Sequence, residues 1–240
     1  MAAFTPTPGQ LSFVEELVAH YQQNQGPIKR SLDSLHSFIP EAEALRPLIH
    51  SVKHRMKDPS NLRDKLLRKL KEAHDEGSEF DISQENLFMK INDLGGYRIL
   101  HLHTTQVDQI NKALLKILQD EAQFSLIEGP KANVWDKESE SYFQSIGITV
   151  EYNPRLYSSV HYIIQPNNKA KVTLEIQVRT LSEEIWGEVD HKFNYPHSID
   201  SVACREQIRV LARLASSCSR LVDSIFASHA DWNKGKTNQS

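Results

Sequence analysis

SSVHYIIQPNNKAKVTLEIQVRT, residues 158–180, reads as two strands joined by a turn. Valine, isoleucine, tyrosine and threonine dominate both halves, and the polar NNKA between them has the chemistry of a hairpin connection. In the second half the two-residue strand period puts Leu174, Ile176 and Val178 on one face and Glu175, Gln177 and Arg179 on the other. In the first half Val160, Tyr162 and Ile164 share a face, and Ser159 and His161 lie opposite. Each strand therefore offers one face to a core and one face of hydrogen-bonding and charged groups. GITVEYN, residues 147–153, reads as a further strand just before the pair.

On the C-terminal side, LSEEIWGEVDHKFNY (181–195) reads as a helix ended by Pro196. A long amphipathic helix follows from about Ser201 into the early 230s, and the polar tail NKGKTNQS (233–240) is expected to be disordered. On the N-terminal side, LSFVEELVAHYQQ (11–23) has apolar residues at helical spacing, and a second helical stretch over 28–49 is interrupted by Pro40 and Pro47. SVKHRMK (51–57) has the mixed character of a strand. DPSNLRDKLLRKLKEAHDEG (58–77) reads as a helix with a capping serine and a terminal glycine. A short helix near 84–91, a strand YRILHLH (97–103) and a helix VDQINKALLKILQDE (107–121) come next. Residues 128–146 show no clean period and read as an exposed excursion in which Trp135 and Phe143 pack. This order predicts an α+β fold: a mixed β-sheet flanked by helices, with a central domain over 49–198 and helical extensions over 1–48 and 199–240.

At 240 residues, 39% apolar and 25% charged, the chain is long enough for one sizeable core and too apolar for wholesale disorder. No apolar run approaches the roughly 18 residues that span a bilayer, and MAAFTPTPGQ lacks a basic, apolar leader. A cytoplasmic protein without membrane association is expected. Cys204 and Cys218 fall on one predicted helix, about 20 Å apart by helical rise, so a packing role is expected and not a disulfide. The net charge of −3 argues against a surface coated for non-specific nucleic-acid binding. Charge is uneven, however. Lys53, Arg55, Lys57, Arg63, Lys65, Arg68, Lys69 and Lys71 are opposed only by Asp58 and Asp64, a charge run that leaves room for a local anion site.

Several residues carry candidate chemistry. Arg55 and Lys57 alternate along a strand, so their side chains aim the same way; with His54 and Lys65 they form a basic approach to a helix N-terminus, which itself favours anions. Arg68, Lys69 and Lys71 read as a solvated helix face. In INDLGGYRIL (91–100), Asp93 precedes a glycine pair and the strand holding Arg98. Asp93 and Glu175, brought together from separate strands, would suit magnesium, a hard cation that takes oxygen ligands and leaves positions for substrate phosphates. The plainer reading of Glu175, Gln177 and Arg179 is the solvated face of an edge strand. Tyr157 sits in a loop after Arg155, where its ring can offer a stacking surface to a base.

Together HRMKDPSNLRDKLLRKL, DLGGYRI, NPRLYSSVHY, LEIQVRT and WGEVDHKFNY resemble, in order and approximate spacing, the synthetase domain of the RelA/SpoT family, the alarmone synthetases. The resemblance covers about residues 45–200. It implies a nucleotidyltransferase-like fold that moves the β,γ-pyrophosphate of ATP onto the ribose 3′-hydroxyl of GTP or GDP. It also implies that Asp93, from the motif D-x-x-x-x-R, holds Mg2+, and that Glu175, from E-x-Q-x-R-T, positions the metal or takes the proton from the attacking hydroxyl. Arg55, Lys57 and Lys65 match residues that grip the ATP phosphates, and Arg98 and Arg179 match arginines lining the donor side. Tyr157 matches the tyrosine that stacks on the acceptor base, His161 the histidine of the same loop, and Gln177 is a further acceptor-side candidate.

The acceptor loop of the family commonly reads K-P-x-G-Y-x-S-x-H. Here Asn153 stands for the lysine and Leu156 for the glycine, so the acceptor stays open, with Arg155 a candidate to replace the missing charge. Similar toxins act on the 3′ end of tRNA and would bring an antitoxin partner; others accept adenine nucleotides. A catalytically silent nucleotide- or protein-binding module is a third reading, which retention of Asp93 and Glu175 argues against. The helices before residue 50 hold His20, His36 and His50 but no His-Asp pair, so alarmone hydrolysis is not expected. His191 and Trp186 are expected to brace their helix against the sheet with Glu188 or Asp190 as partners. Ile208, Leu211, Leu214, Leu221 and Ile225 recur at helical spacing, suited to covering the core or to a homo-oligomer.

Overall fold

The computed structural model describes residues 4–120, 123–194 and 199–237. In chain order its strands are β1 (Ser51–Met56), β2 (Gly95–His101), β3 (Phe124–Val134), β4 (Thr149–Tyr152), β5 (Ser159–Pro166) and β6 (Leu174–Thr180). They form one mixed sheet in the order β1-β2-β6-β5-β3-β4, with β2-β6 and β3-β4 parallel and the other pairs antiparallel. The helices are α1 (Pro8–Gln23), α2 (Gly26–Phe38), α3 (Pro59–Glu76), α4 (Leu87–Lys90), α5 (Gln106–Asp120), α6 (Lys137–Ser145), α7 (Leu181–Asn194) and α8 (Val202–Thr237). This is the α+β fold with a mixed sheet that the sequence predicts.

Register turns the strand period into two chemically distinct faces. Val52, Ile99, Val178 and Val160 are aligned across four strands, and the last three are buried in the main core with Tyr162, Leu174 and Ile176. One residue along, Lys53 pairs with Arg98, Arg98 with Gln177, Gln177 with His161, and His161 with Lys131. A polar row thus crosses five strands on the face away from that core.

The apolar face packs on α1, α2, α3 and α5 through residues such as Leu17, Tyr21, Ile28, Leu66 and Leu114. Gly95 is needed where α2 crosses β2: a Cβ there would lie 2.5 Å from both Ile28 Cγ2 and Leu174 Cδ2. A smaller cluster, Trp186, Ile208, Ala212 and Ala215, joins α7 to α8. Polar contacts fix α8 to the sheet end: Asp223 Oδ1 accepts from the Thr105 backbone N–H at 2.9 Å and lies 2.7 Å from His103 Nδ1, and the Thr180 and Ser219 hydroxyls are 2.9 Å apart.

Several expectations differ from the structure. The helical stretch expected over 28–49 is interrupted at Pro40 as expected, but after Phe38 it continues as turns and not as helix, since Pro40 and Pro47 lack the N–H a helix needs. The cap of α3 is Asp58, whose carboxylate accepts from the Ser60 N–H at 2.8 Å, and Ser60 lies inside the helix; Gly77 closes it in a left-handed conformation, φ 66°, as expected. Residues 128–146 are not an excursion but the end of β3 followed by α6. Register shifts around Glu128 and Lys131 break the alternation that would have marked the strand. Cys204 is half-buried and Cys218 exposed, so packing does not account for Cys218. The α8 helix runs through Thr237, into the segment expected to be disordered, and residues 238–240 lie outside the described residues. So does Pro196, expected to end α7. Among the described residues no helix is long and apolar enough to cross a membrane.

Candidate active site

The turn into β2 delivers Asp93 to the polar face. Its Oδ2 accepts from Lys57 Nζ at 2.9 Å and its Oδ1 from Lys65 Nζ at 2.8 Å. Lys57 leaves the end of β1 and is pinned through its backbone: its N–H donates to the Leu94 carbonyl at 2.9 Å, and its carbonyl accepts from the Tyr21 hydroxyl at 2.6 Å. Lys65 comes from α3, one helical face above. Burial pushes the Asp93 carboxyl up, but Lys65 and Lys57 outweigh it and hold it at about 2. The carboxylate is therefore fully ionised at neutral pH.

Glu175, opposite Gly96 in the parallel register, points to the same side. Its Oε1 lies 2.8 Å from His161 Nδ1 and its Oε2 accepts from Gln177 Nε2 at 2.7 Å. Burial raises this carboxyl, yet the His161 contact outweighs it and the net direction is down. The other ring nitrogen of His161 faces the Tyr157 hydroxyl at 3.2 Å and the Ser159 hydroxyl. Asp93 and Glu175 line one cavity of about 450 Å³ with Arg55, Lys57, Lys65 and Arg98. The structure thus brings together the two acids and the four cations.

A second cavity of about 550 Å³ adjoins the first, sharing Arg55, Arg98, Gln177 and His191 with it. Tyr157 and Arg155 line it from the loop, and Arg179 from β6. Arg179 therefore lies on the Tyr157 side and not in the cavity that holds Asp93. It is buried at 4% exposure, and its guanidinium donates to Glu184. Gly187 makes room for it, since a Cβ there would sit 2.5 Å from Arg179 Nη1. The Tyr157 ring is half-buried, 6.1 Å from Trp186 and edge-on to His161 at 5.8 Å. Leu156, in place of the family's glycine, takes φ 61°, the left-handed region that glycine occupies without strain. The Asn153 carboxamide oxygen accepts from the Arg155 N–H at 3.0 Å and shapes the turn.

Sequence reasoning missed Glu184. It accepts from Lys53 at 3.0 Å and from Arg98 at 2.9 and 3.0 Å as well as from Arg179, so one buried carboxylate ties β1, β2 and β6 to α7. Its only sequence signal is an acid on the first turn of the helix after Arg179. Arg68 is exposed, as expected of a solvated helix face, and it also lines both cavities. Trp186 is a brace, as expected, but against α8: its indole N–H donates to the Ile208 carbonyl at 3.1 Å. His191 faces the cavities, and burial together with Arg55 lowers its pKa.

Residues 54–200, more than half of the chain, match the region found in RelA/SpoT proteins. The chain belongs to the RelA/SpoT family. Three solved structures show the same fold. Small alarmone synthetase 1 from Bacillus subtilis bound to its product pppGpp aligns with TM-score 0.60 at 16% identity, over 88% of this chain and 99% of that one. The same enzyme bound to AMPCPP aligns with TM-score 0.57 at 16% identity, over 88% and 98%. A GTP pyrophosphokinase family protein from Streptococcus pneumoniae gives 0.54 at 16%, over 85% and 90%. No curated protein matches the chain. Membership of the RelA/SpoT family supports pyrophosphotransfer as the chemistry, and the matched region holds Arg55, Lys57, Lys65, Asp93, Arg98, Tyr157, Glu175 and His191.

Among the described residues no group of three or more His, Cys, Asp and Glu side chains could hold a metal unaided. Two carboxylates on one cavity wall nevertheless fit magnesium, which is commonly held by one or two acids and completed by water and substrate phosphates.

Proposed function

We propose that the protein transfers the β,γ-pyrophosphate of ATP to the ribose 3′-hydroxyl of GTP or GDP, making (p)ppGpp. The observation that carries this reading is the placement of Asp93 and Glu175 on one cavity wall with Arg55, Lys57, Lys65 and Arg98. Such transfer asks a protein for positioning and charge neutralisation, which fixed cations and one well-placed acid supply. Arg55, Lys57, Lys65 and Arg98 hold the ATP phosphates. Tyr157, with Gln177 and His161 beside it, seats the acceptor base in the adjoining cavity, so the 3′-hydroxyl meets the phosphates where the two cavities join. The hydroxyl oxygen bonds to the β-phosphorus, the bond from the β-phosphorus to the oxygen bridging it to the α-phosphate breaks, and AMP leaves with the electron pair. Glu175 takes the hydroxyl proton; His161 orients its carboxylate. Magnesium, held by Asp93 and Glu175, would add neutralising charge at the triphosphate.

The test is direct. The purified protein is incubated with magnesium and γ-labelled ATP and, separately, GDP, GTP, AMP and deacylated tRNA. Label on GDP or GTP is expected. Label on tRNA alone, or on AMP alone, would overturn the guanine-nucleotide assignment, and no labelled acceptor would favour a silent binding module.

A further inference from the structure

The α8 helix begins beyond the residues that match the family, yet two of its arginines line the cavity that holds Tyr157. Arg205 and Arg209 flank Ile208, which packs in the cluster that Leu156 and Tyr157 join. That packing sets the first turns of α8 against the loop, so both arginines line one cavity with the ring that would carry a base. The loop contributes Arg155, exposed and lining the same cavity. The arginines of this cavity are not equivalent. Arg98 is paired with Glu184 and Glu188, and Arg179 with Glu184. Arg205 donates to a neutral group, the Ile199 carbonyl at 2.7 Å, which leaves its charge uncompensated by that bond. Arg209 meets Glu206 at 2.8 Å in a pair that is 64% and 59% exposed, the kind that contributes little and yields readily to a stronger anion. Glu188 and Asp190 are the acids that line the same cavity.

We propose that Arg205 and Arg209 of α8, together with Arg155, form the binding site for the 5′-phosphates of the acceptor, a nucleoside 5′-di- or triphosphate stacked on Tyr157. The inference rests on the function proposed above and deepens it. Asn153 stands where the resembling loops carry a lysine, and its side chain is occupied by the turn; the cation is supplied instead from the C-terminal helix. Guanidinium groups suit the task because their planar fork binds phosphate oxygens two at a time.

Arg209→Gln and the double variant Arg205→Gln/Arg209→Gln test this, with Arg213→Gln, exposed on the same helix and outside the cavity, as the control. Steady-state rates are measured with GTP, GDP and GMP as acceptors, and binding of GDP and guanosine is measured by calorimetry without ATP. The KM for GTP and GDP is expected to rise about tenfold or more in the double variant, with Arg209→Gln in between, because charge-assisted hydrogen bonds are lost. The KM for GMP should move far less, that for ATP should stay, and the wild-type preference for GDP over guanosine should weaken with added salt. Unchanged KM for GTP in the double variant, or wild-type binding of GDP no tighter than guanosine, would overturn the inference. Failure of the functional reading looks different: GDP binds in an Arg209-dependent way while no guanine nucleotide acquires label. Arg209→Gln, whose side chain is exposed, shows by an unchanged melting temperature that a KM effect is not misfolding.

Discussion

The cavity around Asp93 and the cavity around Tyr157 adjoin, yet they are built on opposite principles. In the first, cations meet a carboxylate before any substrate arrives: Lys57 and Lys65 clasp Asp93 from β1 and α3, and Glu175 is held by its own neighbours on β5 and β6. In the second, the outer wall is a loop with one residue in left-handed backbone and the start of a late helix, whose arginines, among the described residues, bond a carbonyl and a surface acid. The first is fixed in geometry and ionisation, as charge neutralisation in a transition state requires. The second can exchange weak partners for a ligand, and so is the place where acceptor choice can vary without disturbing the chemistry.

Breaking the fixed side should have the largest effect. Asp93→Ala and Glu175→Ala are each expected to lower kcat by about a thousandfold or more, a loss of about 4 kcal/mol in transition-state stabilisation. The fold should survive, because both side chains lie outside the main core. Asp93→Ala also frees Lys57 and Lys65, so ATP binding measured by calorimetry should hold or tighten while turnover vanishes. Turnover near wild type in either variant would mean that the acids have another role.

Next comes the post that joins the two sides. Glu184→Gln removes the carboxylate shared by Lys53, Arg98 and Arg179 and leaves Arg179 charged and buried. Loss of one member of such a pair costs about 3–5 kcal/mol. Urea denaturation should show it as a lower midpoint with an unchanged slope.

Its neighbour Glu183 sharpens the contrast. Glu183 accepts from the Thr180 N–H at 3.1 Å and hydroxyl at 3.0 Å, and burial pushes it up to about 7. Arg179 pulls it down and Asp136 pushes it up, and neither reverses the shift. The folded state therefore binds this proton more tightly than the unfolded chain. Its contribution is fully present below the ordinary value of 4.5 and is lost as pH rises towards about 7. The loss is of order 3 kcal/mol. Asp93, shifted down, acts only in the acid range below its ordinary 3.8, so the two windows separate. Glu183→Gln should flatten the fall in stability between pH 5 and 7 (about the interval set by those values), followed by urea midpoints. If Glu183→Gln follows the same pH dependence as the wild type over that interval, Glu183 is excluded as a source of it; the variant must be compared because His101, held down at about 4 by burial, acts in the opposite direction over the same range.

What the sequence made legible follows the same division. The hairpin β5-β6 was readable because period-two alternation survives along both strands, and the meeting of Asp93 and Glu175 in one cavity was readable because each sits in a compact motif next to strand residues whose facing is fixed. The strand β3 was not, since its bulges at Glu128 and Lys131 destroy the period. Glu184 was hidden because Lys53 and Arg98 lie 131 and 86 positions away along the chain, so its role exists only once the sheet has formed. Arg205 and Arg209 join a cavity only when Ile208 docks beside Trp186, and helical spacing cannot tell which loop a helix will meet. The cap of α3 failed for a smaller reason: Asp58 and Ser60 are both good caps, and only backbone angles decide between them.

The smallest expected effect probes the yielding side at Leu156. An L-residue in left-handed backbone costs about 1–2 kcal/mol, and glycine is free of that cost. Leucine is retained there by packing, for its side chain joins the Trp186 and Ile208 cluster. Leu156→Ala removes the packing and keeps the strain, whereas Leu156→Gly removes both and adds freedom to the unfolded chain, worth about 0.5–1 kcal/mol against it. The glycine variant should therefore be the more stable of the two by up to about 1 kcal/mol. Paired urea titrations decide the point. If alanine proves equal or better, the loop relaxes out of its left-handed turn once the leucine is gone, and the packing of Leu156 on α8, more than the turn itself, sets where Tyr157 stands.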